Sequence, residues 1–257
     1  MKKPDTQALL DTAMKQHRAM YVRAELEDLI KYLTQEKLTG GKLLEIGCGR
    51  GGSTGIWSAF FKAVTTVCYE PFGRAGANLT DHELIERNKR LAGLKNVTLI
   101  HGNSHKLQTL HQVAAGAPFD VLWLDGDSTL EGITQDLFMY GQLLRPGGVL
   151  IMHNIKDHGI AHPCQVNQVW TQLLIGNLKR GSSEFTSAHG PDARRAGIGI
   201  LHLPQDHGFP ALFQRHSPRP PRRRPGSSPH PPAGDQKRTR PVALGAGGSA
   251  AGAGGGR

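Results

Sequence analysis

The stretch LLEIGCGRGGST, from Leu43 to Thr54, constrains the fold more than any other part of the chain. Leu43, Leu44, Glu45 and Ile46 read as a short buried strand. Gly47, Gly49, Gly51 and Gly52 then let the backbone turn sharply and come close to a ligand. A helix is expected at once, with Ser53 or Thr54 capping its start, so that unpaired N–H groups and the positive end of a helix dipole lie beside the loop. Strand, glycine turn and helix in this order make a cofactor pocket. Gly47, Gly49 and Gly52 also satisfy the dinucleotide fingerprint G-x-G-x-x-G, so the loop alone leaves the cofactor open.

The remainder of the chain reads as alternating strands and helices. Residues from Asp5 to Glu36 have a helical pattern, with Leu26, Leu29, Ile30 and Leu33 on one face and Gly40-Gly41 as the stop. After the loop, Ile56, Trp57, Phe60 and Phe61 form an inward helix face. A strand from Val64 to Tyr69 delivers Glu70, about 20 residues past the glycines, where an acid can accept from both hydroxyls of a ribose. Strands are expected at Asn96–His101, before Asn103 and Ser104, and at Phe119–Leu124, before Asp125 and Asp127. A helix over STLEGITQDLFMYGQLL leads to a Pro146-Gly147-Gly148 turn and a strand, VLIM, that delivers His153 and Asn154. Val166, Val169, Trp170 and Leu173 suggest a further helix, and Ala196–Leu203 a last strand. The fold class expected is α/β: a doubly wound, mostly parallel seven-stranded sheet with helices on both faces, in which ligands bind at the carboxyl edge.

Composition bounds the ends of this domain. Residues 1–39 are a leading helical segment, 40–203 the cofactor-binding domain, and 204–257 a Pro-, Gly- and Arg-rich tail expected to be disordered. From Arg215 to Arg257 nine Lys or Arg face one acid, Asp235, so the tail carries +8 of the chain's net +10. The remaining residues are nearly neutral, which disfavours nucleic acid as a partner of the folded part. Cys48, Cys68 and Cys164 are widely spaced and odd in number; no disulfide framework or zinc site is expected, and a reducing, cytoplasmic setting follows. The start MKKPDTQALLD lacks a signal-peptide apolar run, and no stretch reaches the roughly 18 apolar residues of a membrane span.

Glu45 with the glycines, giving E-x-G-x-G-x-G, and LLRPGGVLI from Leu143 to Ile151 together resemble class I S-adenosylmethionine-dependent methyltransferases. DGDSTLEGITQDL, LLRPGGVLIMHN and VNQVWTQL are similar to the type 24, cephalosporin hydroxylase-like group of small-molecule methyltransferases. That group's pattern, D-G-x-H-S-Y-E-G-V with H-D after the fifth strand, is departed from at Ser128 and Asn154. The resemblance implies a Rossmann-like fold and S-adenosylmethionine bound by Glu45, Gly47, Gly49, Gly51, Glu70, Asn103, Ser104 and Asp125. It implies methylation of a small-molecule acceptor at a hydroxyl, with His153, Asp125 and Asp127 as the catalytic candidates and His153 the base. Catechol-type O-methyltransferases, a more distant likeness, hold magnesium with acidic residues; here the corresponding set is Asp125, His153 and Asn154, and the histidine favours metal independence. The alternatives are a cofactor-binding protein that has lost catalysis and, behind it, an NAD-dependent oxidoreductase. No Asn-Pro-Pro-Tyr-like motif signals transfer to a base, and homo-oligomerisation is left open.

Overall fold

The computed structural model describes residues 4–68, 79–157, 164–177, 181–186 and 197–205. In chain order the elements are α1 (Thr6–Asp11), a π-helical turn (Thr12–Gln16), α2 (Arg23–Gln35), β1 (Lys42–Ile46), α3 (Gly52–Phe60), β2 (Ala63–Cys68), α4 (Asp81–Ala92) and β3 (Val97–His101). There follow α5 (Leu107–Ala114), β4 (Phe119–Leu124), α6 (Leu130–Gly141), β5 (Leu144–His153), α7 (Val166–Asn177), β6 (Ser182–Phe185) and β7 (Ile198–His202). The seven strands form one sheet in the order β3-β2-β1-β4-β5-β7-β6. Strands β1 to β5 pair in parallel, and β7 runs antiparallel to both β5 and β6.

Strand periodicity divides the core in two. Leu44, Ile46, Leu122, Leu124, Leu150, Met152 and Leu201 point to one face and pack with Val113, Ile133, Leu137, Val169, Trp170 and Leu173. Leu43, Val121, Trp123, Val149, Ile151, Ile198 and Ile200 point to the other, against Leu10, Leu26, Leu29, Leu33, Ile56 and Trp57. Successive strand residues face opposite ways, so a sheet apolar at every position must be covered on both sides. The chain moves outward from β1 through β2 to β3 and then returns to lay β4 on the other flank of β1. The crevice beyond the carboxyl ends of β1 and β4 is therefore the topological switch point.

Four sequence expectations are corrected. The leading helix is broken: between Gln16 and Arg23 the chain turns, with Arg18 at φ 48°, and α2 ends at Gln35, where Lys37 (φ 55°) and the Leu38 N–H bond to Leu33 O close a left-handed cap before Gly40 is reached. Pro146-Gly147-Gly148 does not end an element. It is a bulge inside the ten-residue β5, where pairing jumps from Phe119↔Leu144 to Val121↔Val149. Helix α3 is capped by Gly51 in the left-handed region (φ 76°), not by Ser53 or Thr54, because the Thr54 hydroxyl is committed to Glu45. Cys48 and Cys68 form a disulfide, with Cα atoms 5.3 Å apart, because the loop after β1 lies over the end of β2; Cys164 is free and buried. The short edge strand β6 lies between expected elements and was not located by sequence pattern, since SSEF carries no apolar alternation.

Candidate active site at the switch point

The glycine loop is shaped by close approach. Gly47 (φ 92°) lies so near the end of β4 that an added Cβ would sit 2.2 Å from the Asp125 carbonyl oxygen, and its N–H bonds to Val67 O. Gly49 (φ 44°) has nothing among the described residues within 4 Å of where a Cβ would lie. On the far side Gly52 packs on the N-terminal segment, where a Cβ would stand 2.8 Å from that of Ala19.

Three side chains converge at the crevice from distant parts of the chain. Asp125 follows β4, with its N–H bonded to Ile46 O of β1. Its Oδ2 accepts from the Tyr21 hydroxyl at 2.5 Å, and its Oδ1 lies 2.9 Å from Nδ1 of His153, the last residue of β5. A carboxylate only accepts, so toward Asp125 it is Nδ1 of His153 that donates. The ring's Nε2 is buried with no partner among the described residues, and the ring itself is 4% exposed, stacked on Trp123 and packed 4.7 Å from the Tyr21 ring. Burial beside Asp125 pushes the Tyr21 hydroxyl well above its ordinary pKa, so Tyr21 stays protonated and donates.

Other predicted residues are placed differently. Glu45 shares the face of Leu43 and is fully buried; Oε2 accepts from Thr54 and Thr66, tying α3 and β2 to β1, while Oε1 has no hydrogen-bond partner among the described residues. Burial pushes its carboxyl up to about 7. Asp127 is exposed and bonds the Thr129 N–H, shaping the start of α6. Asn103 closes a local turn by accepting from the His105 N–H, and the Ser104 carbonyl accepts from Tyr140, so both sit at the carboxyl edge beyond β3. His105 lies 3.3 Å from buried Asp136 of α6, which raises the histidine's pKa. Asn154 takes a left-handed backbone (φ 64°), a conformation asparagine tolerates. Glu70, and all of the expected tail from residue 206 onward, lie outside the described residues.

The structure thus brings the glycine loop, Asp125 and His153 together and sets Asp127 apart. Tyr21 was missed by sequence reading: it stands 104 residues from Asp125, in a stretch whose pattern suggested continuous helix. The π-helical turn and the left-handed Arg18 that redirect the chain there leave no motif.

Residues 44–155 match the family model described as a methyltransferase domain. No curated protein matches in sequence. Among solved structures, a Staphylococcus aureus protein assigned as a caffeoyl-CoA O-methyltransferase is similar at TM-score 0.55 and 18% identity over 78% of this chain and 92% of that one. An O-methyltransferase from Bacillus cereus, solved with S-adenosylhomocysteine, gives 0.54 and 17% over 76% and 90%. TomG of Streptomyces achromogenes, an O-methyltransferase of tomaymycin synthesis solved with S-adenosylmethionine, gives 0.52 and 17% over 79% and 91%. Residues 44–155 are thus similar to a methyltransferase domain, and the sheet that contains them has the α/β fold of these solved structures.

Proposed function

We propose that this protein transfers a methyl group from S-adenosylmethionine to a hydroxyl of a small molecule, a sugar or natural-product scaffold being the expected class. The observation that carries the reading is His153: bonded through Nδ1 to Asp125, whose backbone lies against Gly47 of the glycine loop, it holds a buried Nε2 with no partner among the described residues. The glycine backbone at Gly49 and the start of α3 suit a nucleoside cofactor, with Gly47 and Gly51 shaping the turn, Glu70 proposed for the ribose, and Asn103 and Ser104 for the adenine edge. Glu45 serves that loop from beneath, as a brace between α3 and β2.

When bound, the cofactor's sulfonium supplies an electrophilic methyl group. The chain's own work is to hold the acceptor in line and to take its proton at Nε2 of His153. Asp125 keeps the ring in the correct tautomer and favours the imidazolium that forms, and Tyr21 fixes the Asp125 carboxylate in turn. A histidine at position 153, where an oxygen ligand would suit a hard cation better, supports a metal-independent route.

The test is transfer of tritiated methyl from S-adenosylmethionine into a panel of hydroxylated small molecules. His153→Ala is expected to lower the transfer rate by about 10²-fold or more, as loss of a general base does, with cofactor affinity within twofold of wild type. Equal loss of rate and affinity would remove His153 from the base role. Cofactor binding with no transfer to any acceptor would favour the reading of a cofactor-binding protein without catalysis.

A further inference from the structure

Helix α4 grips the glycine loop by its carbonyls. Arg87, 4% exposed, donates from Nη1 to Gly49 O at 2.9 Å. Arg90 donates from Nη2 to Arg50 O at 2.5 Å and from Nη1 to Gly51 O at 3.2 Å. Arg50, inside the loop, returns the contact by pairing with Glu83 of α4 at 2.5 Å. Glu83 is itself fixed by a reciprocal capping box with Thr80 at the start of the helix. Three successive loop carbonyls, at residues 49, 50 and 51, are thereby drawn toward one helix.

The direction of those carbonyls determines the direction of the N–H groups. In a planar trans peptide the C=O of one residue and the N–H of the next point opposite ways. With the carbonyls of Gly49, Arg50 and Gly51 held on α4, the N–H groups of Arg50, Gly51 and Gly52 turn away from it. Gly51 N–H closes the local turn on Cys48 O, and Gly52 N–H opens α3. Gly49 and Gly51 both sit at positive φ, so with nothing to hold it a loop so rich in glycine would sample many orientations. A guanidinium with several donors in a fixed plane can hold two adjacent carbonyls at once, as Arg90 does. Arg87 and Arg90 are also close enough to lower the pKa of Arg90 by mutual repulsion on top of burial, so two cations are kept together for the sake of the contacts they make.

We infer that Arg87 and Arg90 are positioning residues for the cofactor: they act through the loop backbone, presetting the loop conformation that the nucleoside cofactor meets. The inference rests on the function proposed above for its ligand. The clamp itself can be read without a ligand.

The experiment compares wild type with Arg90→Met, Arg87→Met and the conservative Arg90→Lys by calorimetric titration with S-adenosylhomocysteine and by amide hydrogen exchange at Arg50, Gly51 and Gly52. Arg90→Met is expected to weaken S-adenosylhomocysteine at least tenfold and to speed exchange of those amides at least tenfold, while exchange in β4 and β5 stays as in wild type. Arg90→Lys, with one point donor instead of a fork, is expected to recover only part of both. Should Arg87→Met not fold, the less deeply buried Arg90 carries the test. Affinity within twofold of wild type together with unchanged loop exchange overturns the inference. If wild type does not bind S-adenosylhomocysteine, the proposed function fails and the clamp is judged on exchange alone, where an unchanged loop overturns it.

Discussion

Glu45 shows how one residue's placement sets a property of the whole protein. It lies between Leu44 and Ile46, which face the core shared with α6 and α7, so its own side chain turns to the opposite face, under α3. That parity was readable in the sequence. The motif directed attention to the cofactor, but the strand sends the carboxylate inward. Burial raises its carboxyl to about 7 from the usual 4.5. Between those values the folded protein binds a proton that the unfolded chain has released, so stability falls as pH rises from about 4.5 to about 7. His105 adds to the same trend: its pKa is raised by Asp136, so its stabilising charge is present below the unfolded value and lost as pH climbs through the folded one. Glu45→Gln is expected to flatten the fall in Tm between pH 5 and 8. Thermal unfolding across that range checks it, and an unchanged slope would mean that the Glu45 carboxyl is not raised by folding.

At the level of elements, helices and parallel strands announced themselves wherever one apolar period ran uninterrupted. Leu26, Leu29, Ile30 and Leu33 of α2, and Val166, Val169, Trp170 and Leu173 of α7, are buried as their spacing required. Boundaries set by backbone conformation were harder to read. The turn at Arg18 and the bulge at Gly147 depend on what the neighbouring strand or loop demands, which no local pattern records. The packing of α7 on β7 is one such long-range demand. Gly199 faces the Trp170 ring so closely that an added Cβ would lie 2.4 Å from it, and Trp170 is held in place by its bond to Glu184 of β6. Gly199→Ala therefore cannot be absorbed by a flexible side chain. It is expected to destabilise by about 2–3 kcal/mol, the scale of overpacking a rigid core. Urea unfolding measures this, and a loss below about 0.5 kcal/mol, the level of a neutral surface change, would contradict the packing.

For the molecule as a whole, topology follows from the order of elements, and the order was legible. Alternating strands and helices give a doubly wound sheet, and the reversal of direction at β1 places the crevice between β1 and β4. Sequence spacing therefore brought Gly47, Asp125 and His153 to one edge before any coordinates. It could not bring Tyr21, Arg87 or Arg90, whose contacts cross 38 to 104 residues and depend on how the N-terminal segment and α4 close around the loop. Nor did an odd, scattered set of three cysteines reveal that two of them meet across the glycine loop and β2. Among the described residues no helix is long and apolar enough to cross a membrane. The central claim is that this crevice takes S-adenosylmethionine, and it is tested most directly by calorimetric titration of the full chain with S-adenosylhomocysteine beside NADH. Saturable binding of one S-adenosylhomocysteine per chain, with NADH not bound, is the result the account expects. Preference for NADH, or binding of neither, would contradict it.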